Sequence, residues 1–536
     1  MNVLVRKEIR LLLPMWIAAM LLALLPNLLN VVLGAGVAAD QIAPVGIFVT
    51  GISGLLLGLT SFGREIYTHT FSLLLAQPRR RTDLWRTKIK VLLVAVGLLY
   101  LFLVLVNQNF IPADDRGVVT ALLGLAFVVA AVSGGLWTTL LLRQVIAAFW
   151  ISLLIPFVVM VTVFSLNEEM VQPAQQVLLL TVLLLIYSVV SYWFARWQFL
   201  HAQDTAWTGG NLALPQMTRR RSENRAAGTV PSARPLRALL GKELRFQQIN
   251  FLIAGGLLAL QLVALIVQRF ANTAAGHSPL DVAVDLFWVI WIIMPALVGG
   301  NAIAEERRFG TLEAQFCLPV SRNWQFALKA LVALGCGILL GATVPVALAL
   351  MRPESNFWIQ GWIIGCVIVA LVAFYASSLT QQFLQALCAT IGILVVGFGP
   401  GMWFAYSFLL SNWFALFGYE LWRGPVVLIV GAAVMVLAAV TLCWRRWRRG
   451  CLVMLGVSGL IFLNVSIPYP LPSSIWNAFV FCLAFLVLAL ALRNFNHLRP
   501  TALLWRRDAF IWLGCFSATG ILTPLLYYYF GELFTP

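Results

Sequence analysis

Charge is what this chain has least of. Only 10% of its 536 residues are charged, where soluble domains carry roughly 25%, and so thin a supply cannot coat a water-facing globule. Histidine is scarcer still, with four residues scattered at 69, 201, 277 and 497. The eight cysteines (317, 336, 366, 388, 443, 451, 482 and 515) form no CxxC and no external pair, so neither a disulfide framework nor a cysteine-held metal is expected. HExxH, GxSxG and GxxxxGK[ST] are absent, which removes zinc-protease and serine-hydrolase chemistry and any P-loop in this chain. The apolar runs carry no Asp, Glu, Lys or Arg at mid-span; Arg143 falls in a tight turn and Asp285 near a span boundary. A mid-span charge costs about 2.5–3.5 kcal/mol on insertion scales and is kept only for function. Its lack counts against proton-driven transport and intramembrane catalysis.

What the chain has instead is apolar length. Hydrophobic residues make up 61%, and the mean hydropathy is +0.92. Runs of about 20 residues recur, enough to cross roughly 30 Å of hydrocarbon, without the alternation of a barrel strand. The predicted fold is all-α and polytopic, with about fifteen transmembrane helices. Six are expected at 13–33, 42–62, 91–110, 118–142, 145–165 and 176–196, the fifth kinked at Pro156. Six more are expected at 249–268, 284–303, 328–350, 358–379, 384–410 and 425–444, and a last three at 451–467, 475–492 and 509–530. The apolar run after Arg6, Lys7 and Arg10 is longer than a signal-peptide core and is expected to stay as the first span.

The net charge of +16 invites a nucleic-acid reading. Its distribution favours the positive-inside rule and no nucleic-acid partner. Of the 36 Lys and Arg, 32 fall in segments assigned to the cytoplasm, leaving only Arg116, Arg269, Arg352 and Arg423 outside. Fifteen spans then put the N-terminus inside and the C-terminus outside. A polar stretch at 198–235, with Gly209-Gly210, three prolines and Arg219-Arg220-Arg221, reads as a cytoplasmic linker. Its tract at 219–225 is assigned to anionic lipid headgroups.

Two charged segments share one grammar. Glu305-Glu306-Arg307-Arg308-Phe309-Gly310-Thr311 leads through Pro319 and Arg322 to Lys329. A shift of 241 places lays Glu65, Thr70, Pro78, Arg81 and Lys88 on Glu306, Thr311, Pro319, Arg322 and Lys329. Upstream, Lys242-Glu243-Leu244-Arg245 repeats Lys7-Glu8-Ile9-Arg10 at a shift of 235, in stretches that read as helices at the membrane surface. The expected organisation is therefore a first six-span repeat at 1–197, the linker at 198–235, a second repeat at 236–444 and a three-span C-terminal extension at 445–536. Glu65 and Glu306 are expected to start a short helix, where the dipole favours negative charge. Pro78 and Pro319 are expected to end it, with Thr82, and Ser321 or Asn323, capping the next span. Gly310 is read as allowing a close backbone approach.

This pattern, Glu-Glu-Arg-Arg-Phe-Gly-Thr-Leu-Glu through Leu-Pro-Val-Ser-Arg to Lys, resembles the charged segment between the second and third spans of type-2 ABC exporter permeases. The resemblance covers 1–197 and 236–444. The first copy departs from it, with Arg64 in place of Glu305 and His69 in place of Gly310. What the resemblance implies is a permease with two membrane domains fused in one chain, in a bacterial or archaeal cytoplasmic membrane. Its charged segments would dock two copies of an ATPase subunit, or two related ones. The chain itself would hold no cofactor; ATP and Mg would sit on those partners. Coupling is expected to be unequal, with the second segment dominant, and Glu306→Ala is expected to leave insertion intact while uncoupling or detaching the ATPase. A membrane-embedded enzyme or lipid-handling protein, and an ATPase-bound anchor or sensor, are the alternatives.

Overall fold

A computed structural model describes residues 3–27, 39–67, 70–108, 115–164, 173–202, 235–271, 279–350, 359–398, 423–444, 450–452, 454–459, 472–497 and 503–515. Among them there is no strand. Among the described residues, eight helices are long and apolar enough to cross a membrane, and shorter apolar helices add to them. The chain is a multi-pass helical membrane protein. Inside a bilayer only a helix satisfies its own backbone, so the apolar runs have no alternative form. Residues 203–234 of the linker, Arg445–Arg449 and most of the expected last span lie outside the described residues.

The chain falls into two compact units, Met1–Ala233 with Gly255–Phe287, and Arg234–Ala254 with Trp288–Pro536. The first begins with α1 (Val3–Ala23), α2 (Ala39–Tyr67), the five-residue α3 (Phe71–Leu75) and α4 (Arg81–Val106). It continues through α5 (Asp115–Leu142), α6 (Val145–Phe164) and α7 (Pro173–Leu200). Helix α2 packs on α1 and α5, and α5 packs on α6 and α7. Small residues let the backbones meet: a Cβ on Gly58 would lie 2.5 Å from the Val132 carbonyl oxygen. Such close approach is how membrane helices associate where no hydrophobic force separates them from lipid. Helix α6 continues on both sides of Pro156.

The second unit takes in α8 (Pro235–Phe246), α9 (Gln248–Ala271), α10 (Pro279–Arg308), α11 (Thr311–Phe316) and α12 (Arg322–Ile338). The ends of α9 and α10 between 255 and 287 belong to the first unit. Helix α12 passes through a π turn, Leu339–Thr343, into α13 (Val344–Ala349). Then come α14 (Ile359–Leu379), α15 (Phe383–Gly392, continued by a π turn at Ile393–Phe398), α16 (Arg423–Trp444) and α17 (Pro472–Phe495). Gly299 repeats the close approach of Gly58: its Cβ would lie 2.8 Å from the Ala370 carbonyl oxygen on α14. The two glycines stand at the same 241-place shift as the charged motifs.

The π turn lies close against Pro295 on α10. A Cβ on Gly341 would lie 2.5 Å from Pro295 Cδ, so α12 passes close to the proline inside α10. The Gly341 carbonyl accepts from Trp362 Nε1 at 2.9 Å. An inserted residue frees a carbonyl of the helical ladder, and the indole takes it up.

Candidate functional site

The residues singled out by the repeated motifs converge at one edge of each unit. In the first, Lys88 Nζ on α4 lies 2.8 Å from Glu8 on α1 and 3.0 Å from Glu65 on α2. Lys7 Nζ closes the set, 2.8 Å from the other oxygen of Glu65. In the second, Lys329 Nζ on α12 lies 2.7 Å from Glu243 on α8 and 2.5 Å from Glu306 on α10. Lys242 Nζ lies 2.6 Å from Glu306 and donates to Gln315 Oε1 on α11 at 2.9 Å. Each cluster holds two lysines and two glutamates and is neutral as a whole. The central lysines are sealed: Lys88 is 3% exposed and Lys329 1%. Lone buried ions would cost several kcal/mol each, so the pairing is what makes these positions tolerable.

Each cluster ties three elements together: the N-terminal helical stretch, the end of the long helix before the short one, and the start of the helix after it. Burial pushes the Glu243 carboxyl above its ordinary range, against the opposing pull of Lys329 and with the Glu306 charge adding to the rise.

The short helices hang from these clamps. Glu65 and Glu306 lie in the last turns of α2 and α10, not at the start of α3 and α11 as the sequence suggests. The long helices run one turn further than their apolar content, because a paired carboxylate can be buried there. The Thr70 and Thr311 hydroxyls donate to the Glu65 and Glu306 carbonyls at 3.4 and 3.3 Å, closing the turn that follows. Phe71 and Leu74 face inward on α3, and Leu312 and Gln315 occupy the same two positions on α11. The outer faces expose Leu73 (66%), Phe309 (58%) and Leu318 (44%).

Gly310 takes up φ +68°, the left-handed region, and nothing lies within 4 Å of where its Cβ would be. Its role is therefore the turn between α10 and α11, not a close approach. His69 lies outside the described residues. Pro78 and Pro319 fall past the ends of their short helices, exposed, and Ser321 stands at the N-terminal boundary of α12 without a side-chain capping bond. Arg10, Arg245 and Arg322 are exposed, the last with its guanidinium 4.9 Å from the Phe316 ring centroid. Glu305 pairs with Arg308 at 3.2 Å. Arg81 donates to the carbonyls of Leu200 and Ala202 at 2.9 and 2.8 Å, at the C-terminus of α7.

Burial changes the reading of Glu306→Ala. Glu306 is 1% exposed and holds two lysines. Its removal would strand Lys329 beside a single acid, so it acts on folding as well as on the surface.

Sequence reasoning missed a second polar centre. Arg307 donates to Ser378 O at 2.5 Å and Thr380 O at 3.2 Å, at the end of α14. It also donates to Asn494 O at 2.8 Å and His497 O at 3.1 Å, at the end of α17. One guanidinium thus serves the last carbonyls of two helices, where cations are favoured. Nearby, the buried Asp508 accepts from the Tyr375 hydroxyl at 2.7 Å and Asn494 Nδ2 at 2.8 Å, and pairs with Arg493. Asp508 belongs to the helical stretch 503–515, which it fastens to α14 and α17. The available signal was a lone acid beside Arg506 and Arg507.

No protein-family model, curated protein or solved structure matches the chain.

Proposed function

We propose that the chain is the membrane-spanning permease subunit of an ATP-binding-cassette transporter, an exporter with two six-span halves fused in one polypeptide. In this reading α3 and α11 lie on the cytoplasmic side and dock ATPase subunits that carry the ATP and Mg. The observation that supports it is the paired construction of the two edges. At matched positions, a buried Lys–Glu cluster ties together the helices on either side of a short helix, and in the second half Lys242 also reaches Gln315 on the short helix itself. A load applied to α11 passes through Lys242, Glu306 and Lys329 into α10 and α12 without a flexible joint. In the second unit, exposed Phe309 and Leu318 beside Arg308 and Arg322 offer the apolar centre and basic rim of a protein-binding surface, and in the first, exposed Leu73 on α3 offers an apolar contact. An ordinary basic loop needs the arginines but not the buried clamp.

Photo-crosslinking side chains at Leu73 and Ala314, both on the outer faces, test this reading in native membranes. The expected product is an adduct with an ATP-hydrolysing subunit, formed at both positions and lost when that subunit is deleted. If neither position yields a nucleotide-binding protein, the permease assignment falls.

A further inference from the structure

The sequence pairs the sixth span of the first half with the run at 425–444, which is α16. The packing pairs it with α17 instead. Helix α7 lies against α5, α6 and α4; α17 lies against α16, α14 and α12, and the principal neighbour of α16 is α17 itself. Helices α4 and α12 correspond through Lys88 and Lys329, and α5 and α14 through the residues that meet Gly58 and Gly299. Two of the three neighbours of α7, α5 and α4, thus have their counterparts against α17.

The ends of the two helices agree in detail. Both start at a proline, Pro173 and Pro472. Both end in one pattern, Gln198-Phe199-Leu200-His201 and Asn494-Phe495-Asn496-His497. The Phe199 ring centroid stands 5.5 Å from that of Trp85, and the Phe495 centroid 5.5 Å from that of Phe326. Trp85 and Phe326 are again 241 places apart. Each phenylalanine also reaches the short helix, Phe199 to Phe71 at 6.3 Å and Phe495 to Phe316 at 5.2 Å. In both units an arginine from the charged segment takes the last carbonyls of the helix, Arg81 on α7 and Arg307 on α17.

The helices differ in what covers them. Helix α7 exposes Val189, Val190 and Trp193, as a lipid-facing span does. Residues Leu483–Leu492 of α17 are all buried, with α16 and the stretch 503–515 packed in the same core.

We propose that α17 is the counterpart of α7, and that Phe495 is the positioning residue that seats α11 in the second half as Phe199 seats α3 in the first. Residues 423–459 are then an insertion ahead of the sixth span, and 472–497 belong to the transport core. This deepens the permease reading and rests on it for the role of α11. The placement of α11 can be measured without any ATPase.

The test uses the full chain with its other seven cysteines changed to alanine and a nitroxide on Cys317, which is exposed next to Phe316. Phe495→Ala should mobilise the label, and Phe495→Leu should return it most of the way. Met435→Ala, which removes a buried side chain of α16, should leave it unmoved. Should Phe495→Ala fail to fold, Phe316→Ala removes the other half of the contact and should mobilise the label alike. An unmoved label in folded Phe495→Ala or Phe316→Ala protein, or equal mobilisation by Met435→Ala, would overturn the assignment. A label that behaves as expected in a chain that binds no ATP-hydrolysing subunit would keep α17 in its place and remove the permease reading.

Discussion

Lys329 Nζ stands 2.5 Å from Glu306 Oε2, and both side chains are sealed from solvent. The pair closes a separation of 23 residues in sequence, across the short helix α11, and Lys88 with Glu65 does the same across α3. Truncating one partner of a buried ion pair leaves an uncompensated charge and costs about 3–5 kcal/mol. Lys329→Ala leaves Glu243 and Glu306 facing each other, and Lys88→Ala leaves Glu8 and Glu65. Both variants should lose folded yield and thermal stability by that order. Exposed Arg245→Ala should cost less than about 0.5 kcal/mol. Thermal unfolding in detergent, followed by fluorescence, separates the outcomes; an unmoved midpoint in Lys329→Ala would show the cluster to be dispensable.

Glu243 gives the cluster a pH dependence of definite sign. Its carboxyl titrates above the ordinary range because burial outweighs Lys329. The folded state therefore holds its proton to higher pH than the unfolded chain does. Stability from this group is fully present below the unfolded value, and it is lost as pH rises through the folded one. At neutral pH, Glu243→Gln should be at least as stable as the parent, and the two should converge on mild acidification. A deficit in Glu243→Gln that is largest at neutral pH and shrinks on acidification would contradict the burial argument.

The sequence made the participants of this site legible, but not their arrangement. Matched spacing picked out Lys7, Glu8, Glu65 and Lys88 with their second copies, because charge in so apolar a chain is conspicuous. It read them as surface charge, since nothing in one dimension shows that residues 58 and 80 places apart meet. Arg307, Tyr375 and Asp508 escaped for a related reason: they lie in three separate stretches, and their shared centre exists only once α14, α17 and 503–515 are packed. The π turn at Gly341 was equally silent in the sequence. The helices themselves were easy to find, because apolar length alone dictates them.

The fastening of 503–515 to α14 and α17 can be cut at one atom. Asp508→Asn keeps the shape and removes the charge that Arg493 meets, while the Tyr375 and Asn494 donors keep an acceptor. Asp508→Ala strands all three. The expected order of stability is parent, then Asp508→Asn, then Asp508→Ala, the last losing about 3 kcal/mol or more. Limited proteolysis should cut between 498 and 515 sooner in Asp508→Ala, and an unchanged digestion pattern would argue against the fastening.

Gly310 should accept some residues and refuse others on conformation alone. Its φ of +68° is costly for a Cβ, while the space around it is open. Gly310→Ala should destabilise the turn by about 1 kcal/mol, and Gly310→Asn should recover part of that, since asparagine visits the left-handed region more readily. If steric crowding governed instead, the larger asparagine would be the worse of the two.

The close approaches at Gly58 and Gly299 permit a sharper comparison, because the two positions are matched and other glycines serve as controls. A Cβ at Gly58 would meet the Val132 backbone at 2.5 Å, and one at Gly299 the Ala370 carbonyl at 2.8 Å. Neither obstacle is a flexible side-chain tip, so α2 must part from α5, and α10 from α14. Overpacking of this kind costs about 1–3 kcal/mol. Gly97 on α4 and Gly335 on α12 have nothing within 4 Å of the added methyl, and an alanine there removes a helix-interior glycine, a gain of roughly 0.5–1 kcal/mol. Gly58→Ala and Gly299→Ala should therefore lower the unfolding midpoint, Gly58→Ala the more. Gly97→Ala and Gly335→Ala should hold or raise it. Because α2 and α10 carry Glu65 and Glu306, the two tight variants should also weaken the ion clamps at their ends, so that Lys88→Ala costs less in a Gly58→Ala background than alone. Strict additivity of those two substitutions would mean that the helix seam and the clamp act independently.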